Sequence, residues 1–161
     1  MNRVLPGLMV LIFLGGCAGP RAAQDAQDPV GRISREQLDL AFQGAHDTIR
    51  IQTEFVEMIR QANSGVRVLV FLGTWCGDSK REVPRFLGIA DAAGISMDRI
   101  TLYALDRKKA SPEGMEGRYG IERVPTFVFL KEESEIGRIV ETPRTTLEGD
   151  ILSILAAAIQ R

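Results

Sequence analysis

VRVLVFLGTWCGDSK, residues 66–80, is the stretch that decides the fold of this chain. Its first seven residues are mostly apolar and rich in β-branched side chains, which predicts a buried strand. The strand leads to Cys76, where a helical pattern begins. A thiol at a helix N-terminus faces unpaired backbone N–H groups and the positive end of the helix dipole, and both favour the nucleophilic thiolate. The sequence therefore predicts a reactive sulfur at Cys76.

Ser79 occupies the position that would hold the second cysteine of a C-x-x-C motif. Thiol–disulfide exchange needs attack by one thiolate and then release by a second thiol. A serine hydroxyl can donate a hydrogen bond to the sulfur of Cys76, but it cannot release a mixed disulfide. We therefore expect release to depend on an external thiol, or the adduct to persist.

The first residues of the chain predict export and a lipid anchor. Arg3 precedes the apolar run 4–14, which is too short to span a bilayer and is typical of a secretory signal. The following Leu14-Gly15-Gly16-Cys17 resembles a bacterial lipobox, which implies acylation of Cys17 and attachment to a membrane. The alternative is an ordinary cleaved signal that happens to contain a cysteine.

Composition divides the chain into three parts and excludes several functions. We predict a signal peptide over 1–16, a flexible tether over 17–31 and one folded domain over 32–161 that begins with a helical extension. Twenty basic against 21 acidic side chains leave no cationic footprint for nucleic acid. One free thiol in the mature chain and a single histidine, His46, provide no zinc ligand set, and we expect neither metal nor cofactor.

Alternating strand and helix patterns predict an α/β fold with a mixed central sheet and helices on both faces. The predicted helices are one opened by a capping box at 34–37, one over 53–63, one over 77–93 that is interrupted at Pro84, one near 112–118, and a last one capped by Thr145. The predicted strands cover 66–72, 100–105, 126–131 and 136–141, and the last two form a hairpin around 132–135.

Over residues 53–161, the order of these motifs resembles the thioredoxin superfamily. The matching features are Trp75-Cys76-Gly77 after a buried strand, Lys80, Pro84 inside the following helix, Asp106 at the end of the next strand, Tyr119-Gly120-Ile121, and Val124-Pro125-Thr126 before the hairpin. A four-residue C-x-x-S pattern alone recurs by chance, whereas this ordered set is specific. The resemblance therefore implies a thioredoxin-like fold.

The resemblance also implies a substrate-binding edge opposite Cys76. Pro125 is expected to be a cis-proline that faces the cysteine, and the backbone of Val124 is expected to pair with a bound peptide as an added strand. Trp75 is expected to belong to the same site. Arg123 is expected near the sulfur, where it would stabilise the thiolate or hold a substrate carboxylate, unless it is a solvated loop arginine.

Two departures from the family accompany the loss of the second cysteine. Thioredoxins bury an acid at the position of Val70 and place a lysine at that of Leu102, and this pair helps to deprotonate the second cysteine. Both residues are apolar here. The joint loss indicates a site adapted to a single thiol.

Monothiol glutaredoxins, which hold an iron–sulfur cluster with glutathione, offer a second comparison. Their C-G-x-S motif fits Cys76-Gly77-Asp78-Ser79. Trp75 before the cysteine is instead typical of thioredoxins. Glu141-Thr142-Pro143 stands where glutaredoxins have a Gly-Gly turn, so this alternative is disfavoured.

Two functions fit the sequence. The first is monothiol thiol–disulfide exchange, in which Cys76 forms mixed disulfides with envelope proteins or small thiols. The second is a redox-inactive thioredoxin-fold module that binds proteins. In both, the expected location is the bacterial cell envelope, lipid-anchored and facing the periplasm. Ala18, which follows the acylated cysteine, replaces the aspartate that retains some lipoproteins in the inner membrane, and this slightly favours the outer membrane.

Overall fold

The predicted strand at 66–72 lies at the centre of a five-stranded mixed sheet. The computed structural model describes residues 28–43 and 51–159. Its strands are β1 (Gly31–Ile33), β2 (Val66–Leu72), β3 (Ile100–Ala104), β4 (Thr126–Lys131) and β5 (Ser134–Val140). Its helices are α1 (Arg35–Ala41), α2 (Thr53–Ala62), α3 (Gly77–Ala92), α4 (Met115–Arg118) and α5 (Leu147–Ile159).

The sheet order β1-β3-β2-β4-β5 places β2 between a parallel and an antiparallel neighbour. β3 runs parallel to β2, while β4 runs antiparallel to it and continues into β5 as a hairpin. Parallel β2 and β3 are joined through α3, as a parallel crossover requires. The predicted α/β fold with a mixed sheet is therefore confirmed.

The two faces of the sheet bury different sets of side chains, since successive strand residues point to opposite faces. Val66, Val68, Val70 and Leu72 of β2 pack in the larger core together with α2, α3 and α5. Residues between them, including Phe71, pack in a smaller core with Met115 of α4 and with the loop from α4 to β4. Helices thus cover both faces, and the long ones share one face.

The long helix α3 fixes the position of the motif relative to the sheet. It is continuous through Pro84, where the sequence predicted an interruption, and that proline is buried. Phe86, two residues later and in the larger core, packs on Phe127 of β4 with ring centroids 4.9 Å apart. This packing holds the N-terminus of α3 at the end of β2.

Three local features differ from the sequence prediction. β1 was not predicted, and it begins at Gly31, one residue before the predicted start of the domain. The hairpin turn consists only of Glu132 and Glu133, both with positive φ, so β5 begins at Ser134. The cap of α5 is Thr146, whose hydroxyl accepts the Gly149 N–H at 3.1 Å, so the prediction of Thr145 was wrong by one residue.

The capping box that opens the first helix is confirmed. The Ser34 side chain accepts the Gln37 N–H, and the Gln37 side chain accepts the Ser34 N–H. The predicted signal peptide, Cys17, most of the predicted tether and His46 lie outside the described residues. Within the described part of the chain, every helix is too short or too polar to cross a membrane.

Candidate functional site

Cys76 lies at the N-terminus of α3, at the edge where β2 ends. It is the N-cap residue, with extended backbone angles of φ −90° and ψ 125°, and no side chain caps the helix. Among the described residues, the N–H groups of Gly77, Asp78 and Ser79 have no hydrogen-bond partner. These first-turn donors carry the positive end of the helix dipole, so they favour negative charge on an adjacent sulfur.

The backbone preceding β4 lies directly against this sulfur. The half-buried Cys76 Sγ donates a hydrogen bond to the Val124 carbonyl oxygen at 3.3 Å. The Val124–Pro125 peptide bond is cis. Thr126 donates to the Arg123 carbonyl at 2.7 Å, and Glu141 N–H donates to the Pro125 carbonyl at 2.7 Å. The structure thus brings Cys76, Val124 and Pro125 together and secures the chain on either side of the proline.

Ser79 lies in the first turn of α3 but is directed at the backbone of the preceding loop. It is fully buried, and its hydroxyl oxygen accepts the Gly73 N–H at 3.1 Å. Among the described residues it makes no hydrogen bond with Cys76, which is the contact the sequence suggested. Its place in the structure is therefore to tie the end of β2 to the start of α3.

Trp75 anchors the other side of the motif to β3. Its indole Nε1 donates to the Leu105 carbonyl at 3.0 Å. The ring lies so close to Gly73 that a Cβ there would come within 2.7 Å of Trp75 Cε2. The Arg107 guanidinium lies 5.7 Å from the ring centroid, within the range of a cation–π contact. Sequence reasoning missed Gly73 and Arg107, although Arg107 directly follows the recognised Asp106.

Val124 and Pro125 form the backbone edge that faces Cys76, which we call the ledge. Arg123 precedes it, but the Arg123 guanidinium is paired with another residue. Arg123 Nη1 lies 2.8 Å from Glu141 Oε2, and this hydrogen bond to the carboxylate raises the pKa of Arg123. Its side chain is 64% exposed. No described contact joins it to Cys76, so in this structure its charge is balanced by Glu141.

The sheet beneath the motif contains no acid–lysine pair. Val70 and Leu102 are register partners on β2 and β3, and both are buried in the larger core. Within residues 28–43 and 51–159, no group of His, Cys, Asp and Glu is arranged to hold a metal ion. The site therefore consists of one thiol, the N–H groups of α3 and a backbone ledge. Such a site can attack a disulfide or hold an extended peptide.

The comparisons with known proteins agree with this geometry. The sequence profile of the family described as thioredoxin matches residues 27–151. A thioredoxin from Malassezia sympodialis is 34% identical over 98 residues, which cover 59% of this chain and 89% of that protein. Thioredoxin-1 from Caenorhabditis elegans is 26% identical over 106 residues, covering 66% and 87%. A solved Pseudomonas aeruginosa protein of unknown function, 19% identical, superposes with a TM-score of 0.50 and covers 78% of this chain and 84% of its own. The chain belongs to the thioredoxin family.

Proposed function

We propose that this protein carries out thiol–disulfide exchange through Cys76 alone, on disulfides of envelope proteins or small thiols. The Cys76 thiolate attacks one sulfur of the target disulfide. The target S–S bond breaks, a Cys76–target S–S bond forms, and the departing thiolate takes the electron pair. An external small thiol then attacks the mixed disulfide. Attack on the target sulfur forms a disulfide between the target and the small thiol and expels the Cys76 thiolate. Attack on Cys76 Sγ expels the target thiolate and leaves Cys76 in a disulfide with the small thiol, which a second small thiol then reduces.

The observation that carries this proposal is the position of Cys76 at an uncapped helix N-terminus. The N–H groups of the first turn have no partner among the described residues, and Asp78, the acidic residue of that turn, is paired with Arg81. Preorganised donors aimed at a site of developing charge stabilise that charge without further reorganisation. The same donors would stabilise the Cys76 thiolate both before attack and when it departs from a mixed disulfide.

The ledge at Val124 supplies the binding part of the proposal. Among the described residues, the Val124 N–H has no hydrogen-bond partner, and its carbonyl is occupied by the Cys76 thiol. Loss of the thiol proton frees that carbonyl. An extended target segment can then pair with both groups as an added strand and bring its disulfide to the sulfur.

A second candidate function is a redox-inactive module that holds a peptide in the same groove. The specific observation in its favour is the Cys76–Val124 hydrogen bond, in which the thiol is engaged by the protein backbone rather than free to react. In this case Cys76 contributes packing and the ledge alone contributes recognition. The two functions differ in whether partners become attached covalently.

Trapping of covalent partners in intact cells distinguishes the two functions. A tagged wild-type protein is expected to give disulfide-linked adducts on non-reducing gels after rapid quenching with acid. Cys76→Ser is expected to remove every adduct, while Cys17→Ser leaves the protein able to form them. If wild type and Cys76→Ser capture the same partners non-covalently and neither forms adducts, the exchange function is wrong and the binding module stands.

The proposed location of this chemistry is the periplasmic side of a bacterial membrane, with Cys17 as the lipid attachment site. Residues 18–27 would then separate the domain from the bilayer surface. Cys17→Ser is expected to move the protein from the membrane fraction to the soluble fraction of the envelope. An unchanged distribution would contradict the anchor and leave the exchange chemistry intact.

A further inference from the structure

A cluster of exposed cations lies beside the motif and is not used by the proposed exchange. In the loop from β3 to α4, Leu105 is followed by Asp106-Arg107-Lys108-Lys109, and the side chains of Arg107, Lys108 and Lys109 are exposed. Within the described part of the chain, none of the three forms an ion pair. We call residues 106–110 the basic loop.

Hydrogen bonds within the basic loop brace its backbone. Asp106 Oδ1 accepts the N–H groups of Lys108 and Ala110 at 2.8 and 2.9 Å. The Asp106 N–H donates to the Ala110 carbonyl at 3.0 Å, and the Lys109 N–H donates to the Asp106 carbonyl at 2.9 Å. The acidic side chain is therefore turned into the loop backbone, while the basic side chains remain directed to solvent.

The basic loop is also attached to the motif itself. Trp75, next to Cys76, donates to the carbonyl of Leu105, the residue immediately before the loop. Arg107 lies over the same indole ring at 5.7 Å. The first cation of the loop thus contacts the residue that directly precedes Cys76.

Two other arginines near the motif, Arg81 and Arg123, are balanced by carboxylates. Arg123 is paired with Glu141 at 2.8 Å. Arg81 lies 2.7 Å from both Glu82 and Asp78. Its hydrogen bond to Glu82, and to a smaller extent its hydrogen bond to Asp78, raises the pKa of Arg81. Lys80 is a further exposed cation on α3, and Glu122 is an exposed carboxylate on the side of the ledge. Among the described residues beside the motif, the positive charge without a carboxylate partner therefore lies on Lys80 and on the three cations of the basic loop.

We infer that the basic loop is a docking surface for an acidic polypeptide segment that flanks the reactive cysteine of the target. This inference rests on the proposed function, because it supposes that the target is seated at Val124 with its cysteine at Cys76. An extended segment advances about 3.3 Å per residue, so aspartates or glutamates a few residues from the target cysteine reach the loop. Positive charge at an interface rim speeds the association of acidic partners and slows that of basic ones.

Two matched peptides test the inference. Each carries one cysteine activated as a disulfide with 2-thiopyridine, flanked by aspartates in one peptide and by lysines in the other. Attack by Cys76 forms a Cys76–peptide disulfide and releases pyridine-2-thione, which is followed by its absorbance. With wild-type protein, the aspartate peptide is expected to react about tenfold faster at about 10 mM ionic strength. The difference is expected to disappear at about 1 M salt, where the Debye length is about 3 Å.

A pair of double variants locates the effect on the protein. Lys108→Gln with Lys109→Gln is expected to bring the ratio of the two rates close to one. The control, Arg67→Gln with Lys131→Gln, removes two positive charges from the opposite end of β2 and β4 and is expected to retain the ratio. Equal rates with the two peptides in wild type, or equal loss in both double variants, would overturn the docking surface.

A binding measurement separates failure of this inference from failure of the exchange chemistry. Labelled peptides with serine in place of cysteine are titrated with the wild-type protein and followed by fluorescence anisotropy. Tighter binding of the aspartate peptide supports the docking surface. The reactivity of Cys76 is measured separately with neutral 2,2′-dithiodipyridine, and a lack of reaction there would overturn only the exchange. Equal binding of both peptides overturns the docking surface whatever the reactivity of Cys76.

Discussion

At the scale of single residues, Cys76 lies between two kinds of backbone group. The free N–H groups at the start of α3 lie on one side, and the Val124 carbonyl accepts the hydrogen bond of the thiol. Helix N-terminal N–H groups stabilise a thiolate, which is the form of cysteine that attacks a disulfide. In the proposed exchange, a target segment that pairs with Val124 would take over this carbonyl, while the N–H groups would remain beside the sulfur.

Ser79 acts on the same site through the loop that precedes Cys76. Ser79→Ala leaves the buried Gly73 N–H without a partner, and we expect it to lower the free energy of unfolding by about 1–2 kcal/mol. Urea denaturation followed by Trp75 fluorescence measures this directly, because Trp75 is the only tryptophan. The control is Ser153→Ala in α5, an exposed serine for which we expect a change under about 0.5 kcal/mol. Equal changes in both variants would contradict the assigned role of Ser79.

At the scale of elements, a buried charged cluster joins α3 to α5. Glu82 and Glu148 are both buried, and Arg85 lies 3.3 Å from the first and 3.6 Å from the second. Glu148 Oε1 also accepts the Gln52 N–H at 3.4 Å, at the start of α2. The arginine therefore compensates two carboxylates in a region that also fixes the direction of the motif helix.

Removal of Arg85 is expected to lower the free energy of unfolding far more than removal of Arg81. Arg85→Met leaves Glu148 without a cation, and we expect it to reduce the free energy of unfolding by about 3 kcal/mol. Arg81→Met removes a half-exposed arginine while Glu82 keeps Arg85, so we expect a loss below about 1 kcal/mol. Thermal or urea unfolding of both variants provides the comparison. Similar losses would show that the cluster does not stabilise the packing of α3 on α5.

The sequence predicted the elements that have a local sequence pattern and missed those that depend on distant parts of the chain. β2, α3 and the hairpin followed from local patterns, and the capping box at Ser34 was visible in four residues. β1 has three residues, too few to show an alternation, and it exists because β3 offers it a free edge. The turn at Glu132–Glu133 lacks the usual glycine or asparagine, so its two-residue length follows only from the strand register.

The same distinction applies to the site. The positions of Cys76, Val124 and Pro125 followed from the resemblance, because ordered motifs specify where the chain returns to itself. The partners of Ser79 and Arg123 did not follow, since they depend on the path of the loop at Gly73 and on the hairpin that brings Glu141 alongside. Side-chain pairing across 18 residues has no signature in a single sequence.

At the scale of the whole molecule, near-zero net charge conceals an uneven distribution. The formal charge of −1 excludes a general cationic footprint, yet the basic loop concentrates exposed positive charge beside the motif. The run Arg107-Lys108-Lys109 was visible in the sequence, but its place next to Trp75 required the pairing of β2 with β3. With a lipid at Cys17, the molecule would present this surface from a tether on the periplasmic side of a membrane.

The most direct test of the central claim is the alkylation rate of Cys76 in the folded protein. Iodoacetamide is added near pH 6.5, about two units below the ordinary cysteine value of about 8.5, to the Cys17→Ser protein, in which Cys76 is the sole thiol. A synthetic peptide of residues 73–80 in the same buffer is the reference. We expect the folded protein to react at least about tenfold faster than the peptide, because only the fold supplies the helix N-terminus. A rate equal to or below that of the peptide would contradict the exchange function.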